Sequence, residues 1–199
     1  MTIYSLKSRF QGLLRPLVVL LVRIGVKANA VTLAACVVSV GIGFALIRAP
    51  RVWFAIIPVW MFVRMALNAI DGMMAREYGQ KSALGAYLNE LTDVVSDAAL
   101  YLPFAFVPPF NWQMVGAAIF LAALSEMTGV VGVMTGASRR YDGPMGKSDR
   151  AFVFSLIAIW IAVTGGTLPI WSGAIMWAIA ALTAITIVNR IRGGLKEAR

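Results

Sequence analysis

Asn68 and Asp71 stand three residues apart, and Asn89, Asp93 and Asp97 follow at intervals of four. On a helix such spacings share a face, so Asn68, Asp71 and Ala75 form one row and Asn89, Asp93 and Asp97 another. Gly85 extends the second row by a turn. Five of the nine acidic residues are Asp71, Glu77, Glu90, Asp93 and Asp97, in a sequence that is otherwise largely apolar. An aspartate at the centre of an apolar helix costs about 2.5–3.5 kcal/mol on insertion scales, so such residues are candidates for function. Carboxylate and amide oxygens in this number suit Mg²⁺ or Mn²⁺. Such an ion binds a diphosphate, neutralises developing charge and orients an attacking alcohol. The small residues Gly72, Ala75 and Gly85 let backbones approach and leave room for a ligand.

Other chemistries are excluded by composition. The chain has no histidine and one cysteine, Cys36. Ser-His-Asp and Cys-His catalysis, histidine-type zinc sites and an intrachain disulfide therefore fall away. Catalysis must rest on carboxylates, amides and cations.

Membrane helices must position these rows. Hydrophobic residues make up 60% of the 199, charged residues 14%, and mean hydropathy is +0.80. Soluble domains hold roughly 45–50% apolar residues, and a spanning helix needs about 20 of them in succession. Six segments are candidates: 31–47, 53–71, 85–107, 113–135, 151–164 and 170–188. Pro108 and Pro109 stop the third, and the fifth is short enough to begin a few residues earlier. Residues 10–25 are apolar with spaced arginines, the pattern of an interfacial helix. Arg15, Pro16 and Arg23 argue against a seventh span there. The sequence thus reads as an all-α integral membrane protein with six transmembrane helices plus an N-terminal amphipathic interfacial helix. One domain covers 1–199, with 1–27 interfacial and 28–199 the bundle.

Basic clusters fall on one side of these spans: Lys7 to Lys27, Arg76 with Lys81, Arg139 to Arg150, and Arg190 to Arg199. The excess of Lys and Arg on cytoplasmic loops places both termini in the cytoplasm. The net charge of +9 follows from topology and from contact with anionic lipid. No basic stripe interleaved with aromatics points to nucleic acid.

Residues 68–93, "NAIDGMMAREYGQKSALGAYLNELTD", resemble the signature of the CDP-alcohol phosphotransferases: D-x-x-D-G-x-x-A-R, eight residues, then G-x-x-x-D-x-x-x-D. Asp71, Gly72, Ala75, Arg76, Gly85 and Asp93 match in register. The flanks are similar to the phosphatidylserine-synthase type. "KANAVT" resembles the family's entry to the first span, with Asn29 and Thr32 kept, and "GKSDR" its basic loop before the fifth. The resemblance implies a six-helix homodimer in a bacterial inner (plasma) membrane. It also implies transfer of a substituted phosphate from CDP-diacylglycerol, or from a CDP-alcohol, to an alcohol, with release of CMP. Asp71 and Asp93 would be metal ligands for one or two Mg²⁺ or Mn²⁺ ions, and Asp93 the catalytic residue or general base. Asn68 and Asn89 would be neutral ligands, and Gly72, Ala75, Arg76 and Gly85 the nucleotide and diphosphate pocket. Arg139, Arg140, Lys147 and Arg150 would bind acceptor or lipid phosphate, with topology signalling as the plainer role.

Asn68 and Asn89 depart from the signature's first and third aspartates. An amide keeps a carbonyl ligand but removes a charge. Either one ion binds, or two bind with help from the substrate diphosphate, Glu90 or Asp97, or catalysis is lost. The last outcome gives the alternative reading, an impaired lipid- or nucleotide-binding homologue. A small transporter is a third reading, but the sequence lacks the repeated halves and broken helices common in transporters. Three further charges fall within spans: Arg64, Asp97 and Glu126. A structural ion pair of Arg64 with Asp97, or with Glu126, is expected, because an unpaired charge at that depth is costly.

Overall fold

The computed structural model describes residues 3–198. It contains seven long helices: α1 (Ile3–Arg23), α2 (Ala28–Arg48), α3 (Ile56–Glu77), α4 (Ala83–Tyr101), α5 (Trp112–Met134), α6 (Lys147–Thr164) and α7 (Gly173–Glu197). Short 3₁₀ turns, Arg51–Ala55, Leu102–Phe106 and Ile170–Ser172, lead into α3, follow α4 and lead into α7. Among the described residues there is no strand.

Local chemistry sets the helix starts. Ser82 accepts a hydrogen bond from the Gly85 N–H at 2.9 Å and caps α4, and Asn111 does the same for α5 through Met114 at 3.0 Å. The fifth candidate span does begin earlier than its apolar run: Asp149 accepts from the Gly146 N–H at 2.9 Å and starts α6 at Lys147. That helix ends at Gly165, where φ is +64°, a left-handed stop that glycine adopts without strain. Two helices outrun their apolar stretches. α3 continues past Asp71 to Glu77, and α7 continues past Val188 to Glu197.

Four helical stretches are long and apolar enough to cross a membrane: Ala28–Arg48, Arg51–Glu77, Trp112–Met134 and Ile170–Glu197. α4 and α6 fall outside that group because of the charges they carry, Glu90, Asp93 and Asp97 on one, Lys147, Asp149 and Arg150 on the other. Large apolar side chains such as Phe44, Val59, Phe62, Phe120, Phe152 and Val163 face outward, as they do in a protein surrounded by lipid.

α2 packs on α3 and α4, α5 on α7, α6 on α3, and α1 lies against α3. Gly43 lets α2 and α4 meet: a Cβ there would stand 2.2 Å from the Ala99 carbonyl oxygen. One half of the bundle is filled by an apolar core. Tyr101 and Phe154 stack at 3.8 Å, and Phe104 meets Phe54 and Phe154 edge to face at 5.3 and 5.1 Å. A smaller cluster of Val18, Val31, Ile70, Met73 and Met74 holds α1 to α2 and α3. The other half of the bundle, where α2, α4 and α6 begin and α3, α5 and α7 end, is polar.

Candidate functional site

A cavity of about 880 Å³ occupies that polar half. The two rows of the signature line it from facing helices: Asn68, Asp71, Gly72, Ala75 and Arg76 from α3, and Gly85, Asn89 and Asp93 from α4. Asp71 is buried and accepts a hydrogen bond at 2.6 Å from Thr32 Oγ1 on α2. Asp93 is held at both oxygens. Its Oδ1 accepts from Arg64 Nη2 at 3.0 Å and from Asn68 Nδ2 at 3.2 Å, and its Oδ2 meets Lys147 Nζ at 2.5 Å.

The glycines serve close approach. A Cβ on Gly85 would lie 2.9 Å from Asn29 Oδ1, and one on Gly72 would lie 3.1 Å from the Arg76 guanidinium. Gln80 accepts from the Ala28 N–H at 2.8 Å, joining the spacer between the signature's two halves to the start of α2.

Arg64 pairs with Asp97 and donates to the Asp93 carbonyl oxygen at 3.1 Å. Glu126 gathers three arginines: Arg150 at 2.8 Å, with Arg139 and Arg190 at 3.5 Å. Arg139 also pairs with Glu90. Of the four basic residues singled out in the sequence, Arg139 and Lys147 line the cavity. Arg150 is buried behind it on Glu126. Arg140 turns away, bonded to Asp142 at 2.8 and 2.9 Å and paired with Glu197. The Arg140 hydrogen bonds hold the Asp142 carboxyl below its ordinary range.

Several lining residues are not marked by spacing in the sequence. Arg190 looked like a topology charge and Glu126 like a structural one, yet both reach the cavity. Asn29 and Thr32 were visible only as a faint likeness before the first span.

A second, apolar cavity of about 560 Å³ lies between α3 and α6, lined by Met61, Phe62, Met65, Phe152, Leu156 and Ile159 among others. Asn68, Lys147 and Ser148 line both cavities. A polar chamber therefore adjoins an apolar groove.

A chamber of this kind, inside a bundle clothed in apolar side chains, defines a membrane enzyme that handles amphiphilic phosphates. The chain belongs to the CDP-alcohol phosphatidyltransferase family, transferases of phospholipid biosynthesis, whose model matches residues 25–185. The inner membrane protein YnbA of Escherichia coli is 43% identical over 199 residues, covering 98% of this chain and 97% of that protein. The phosphatidylinositol phosphate synthase of Corynebacterium glutamicum is 25% identical, covering 91% and 83%. That relative differs in type from the phosphatidylserine synthases that the signature's flanks resemble. The fold is shared with crystal structures of the Mycobacterium tuberculosis phosphatidylinositol phosphate synthase. One, in complex with manganese and citrate, superposes with a TM-score of 0.72 at 20% identity, covering 90% of this chain and 88% of that one. Another, with CDP-DAG bound, gives 0.71 at 21%, covering 90% and 92%.

Among the described residues, no three Asp, Glu, Cys or His side chains converge to hold a metal ion by themselves. The oxygens present still fit one hard cation. Asp71 contributes a carboxylate. The Asn68 amide, whose nitrogen faces Asp93, leaves its Oδ1 for the chamber, and Asn89 is a further amide in the lining. Mg²⁺ and Mn²⁺ sites of this kind are completed by water and substrate phosphate.

Proposed function

We propose that this protein transfers a phosphatidyl group from CDP-diacylglycerol to a hydroxyl of a small polar acceptor, releasing CMP. The observation that carries the reading is the junction of the two cavities at Asn68 and Lys147. A donor with a charged diphosphate between a nucleotide and two acyl chains needs a polar chamber and an apolar groove side by side. The mycobacterial synthase with CDP-DAG bound, alike in fold, supports this donor over a CDP-alcohol. The two carboxylates that the signature keeps, Asp71 and Asp93, line the chamber beside basic residues, which supports transfer over the impaired homologue.

Asp71, Asn68 and Asn89 would hold the divalent cation. When bound, that ion offsets the diphosphate charge and stabilises the departing CMP. Gly72, Ala75 and Gly85 keep the walls low enough for the nucleotide and diphosphate, and Arg76 meets them at the rim. Lys147 sits where groove and chamber join and turns from Asp93 to the donor phosphate. That frees Oδ2 of Asp93, the catalytic carboxylate, to take the acceptor's hydroxyl proton. The hydroxyl oxygen attacks the phosphatidyl phosphorus, the bond to the CMP oxygen breaks, and CMP leaves with the electron pair. Arg139 and Arg190 each keep a buried Nε–H without a partner, and these donors orient acceptor oxygens. Arg150 supports them through Glu126, and Arg140 fixes the loop that carries Arg139.

The whole chain acts as one domain with six spans, α2 to α7, and α1 lying in the interface. Both termini face the cytoplasm of a bacterium whose inner membrane holds the protein as a homodimer. The basic clusters at one end of the bundle and the family resemblance support this arrangement. Purified protein incubated with CDP-diacylglycerol, Mg²⁺ or Mn²⁺ and a panel of alcohols and phosphorylated alcohols is expected to release CMP with one of them. Release with CDP-alcohols and diacylglycerol instead would reverse the donor assignment. No release with any pair would return the impaired homologue to first place.

A further inference from the structure

We infer that the chamber takes one divalent cation, at Asp71, and that the Lys147 ammonium stands where a second ion would sit. The inference rests on the transfer reading above and specifies its electrostatics. Four carboxylates can balance two divalent ions. Here two of the four signature positions are the amides of Asn68 and Asn89.

The charges lining the chamber already cancel. Arg76, Lys81, Arg139, Lys147 and Arg190 supply five positive charges, and Asp71, Glu90, Asp93, Glu126 and Asp149 supply five negative ones. Aspartates at positions 68 and 89 would leave the same lining at two negative charges, an invitation to a second ion. As it stands, one divalent cation and the two negative charges of a CDP-diacylglycerol diphosphate restore neutrality. A second ion would leave two uncompensated positive charges in a chamber with low-dielectric walls.

Ligand availability agrees with the charge count. Asp93, the carboxylate that would serve a second ion, has both oxygens engaged. Arg64 and Asn68 hold Oδ1, and Lys147 Nζ lies 2.5 Å from Oδ2. Asp71 has no basic partner among the described ion pairs, and its one side-chain donor is the Thr32 hydroxyl. An ammonium carries three N–H donors. It therefore neutralises Asp93 before the donor arrives and, once turned, gives the donor phosphate the positive charge that a second ion would supply. Its tether to α6 fixes that charge in the site without the cost of capturing an ion from water.

The test is a count. Detergent-purified protein, stripped by chelator and dialysed against Mn²⁺ with CDP-diacylglycerol, is expected to hold one Mn²⁺ per chain. Its electron paramagnetic resonance spectrum is expected to be the six-line pattern of an isolated ion. Asn68→Asp with Asn89→Asp is expected to raise the count to two and to give exchange-coupled lines. Lys147→Met, which releases Asp93, is expected to admit a second, weaker ion. Two ions in the unaltered chain, or none, would overturn the inference, even if CMP is released and the transfer reading stands. A count that stays at one in the double aspartate variant would show that charge does not limit the site. A count that stays at one in Lys147→Met would remove Lys147 from the role assigned to it. One bound ion with no CMP release for any donor and acceptor would keep this inference and overturn the transfer reading instead.

Discussion

Arg64 of α3 pairs with Asp97 of α4 and, through its other terminal nitrogen, holds Asp93 one turn away at 3.0 Å. One guanidinium thus ties a structural carboxylate to the carboxylate assigned to catalysis, and it sets the distance between the two signature helices. Breaking a buried pair by removing one partner leaves an uncompensated charge, at a cost of about 3–5 kcal/mol. Arg64→Met is therefore expected to lower the thermal unfolding midpoint in detergent sharply and to abolish CMP release. Asp97→Asn keeps a hydrogen-bond acceptor for Arg64 and leaves Asp93 in place. It is expected to cost less stability and to retain part of the activity. Equal losses in the two variants would remove Arg64 from its positioning role.

Thr32 gives a cleaner separation of binding from folding. Its hydroxyl donates to Asp71 at 2.6 Å from a third helix, α2. A hydrogen bond to a charged group contributes about 1.5–3 kcal/mol. Thr32→Val keeps the shape, so Asp71 loses orientation while the bundle stays assembled. The expected result is a Mn²⁺ affinity roughly 10-fold weaker, about 1.4 kcal/mol, at a nearly unchanged melting temperature. An unchanged Mn²⁺ titration would mean that Asp71 needs no such support, or is not a ligand.

The difference between these two cases tracks what the sequence made legible. Asn68, Asp71, Asn89 and Asp93 announce themselves by helical spacing inside apolar runs, and Arg64 by the cost of a lone charge. Thr32 sends no such signal. A threonine in an apolar helix satisfies itself on its own backbone, as Thr128 does on Leu124 at 2.7 Å, and only packing shows that Thr32 also meets Asp71. Glu126 and Arg190 lie far along the chain from the signature, and only the pairing of α5 with α7 brings them to the chamber. Helix ends are only partly legible in hydropathy for a related reason. Hydropathy marks where lipid begins and ends, whereas hydrogen-bond caps mark where a helix does. Asp149 starts α6 ahead of its apolar run, and α7 continues past its apolar run so that Arg190 reaches the chamber and Glu197 holds Ser138 in the loop before α6.

Gly43 and Gly85 are predicted to fail in different ways when given a methyl group. At Gly43 the new Cβ would meet backbone, the Ala99 carbonyl oxygen at 2.2 Å. α2 and α4 must then move apart. Overpacking of this kind costs about 1–3 kcal/mol. At Gly85 the obstacle is the tip of a side chain, Asn29 Oδ1 at 2.9 Å, which can turn aside into the chamber. Gly43→Ala is expected to lower the melting temperature with KM for CDP-diacylglycerol little changed. Gly85→Ala is expected to raise that KM several-fold at nearly native stability. The opposite pattern would mean that Gly85 spaces helices and does not shape the pocket.

The loop between α5 and α6 is fastened beyond the apolar helices, and its fastening should respond to acid. Arg140 bonds Asp142, while Glu197 at the end of α7 accepts from the Ser138 N–H and Oγ, both at 2.9 Å, and pairs with Arg140. The hydrogen bonds from Arg140 hold the Asp142 carboxyl below its ordinary value. A carboxyl depressed in the folded state stabilises the fold above its unfolded pKa, about 3.9, and that contribution is lost as pH falls through the folded value. The melting temperatures of the native chain and Asp142→Asn should therefore differ by a constant amount above about pH 5, and converge as the pH falls below about 4. Because the loop also carries Arg139, which lines the chamber, Asp142→Asn should weaken acceptor binding at neutral pH without changing Mn²⁺ binding at Asp71. A gap in melting temperature that widens in acid would have the wrong sign for a depressed carboxyl. It would mean that the Arg140–Asp142 bond does not fasten the loop.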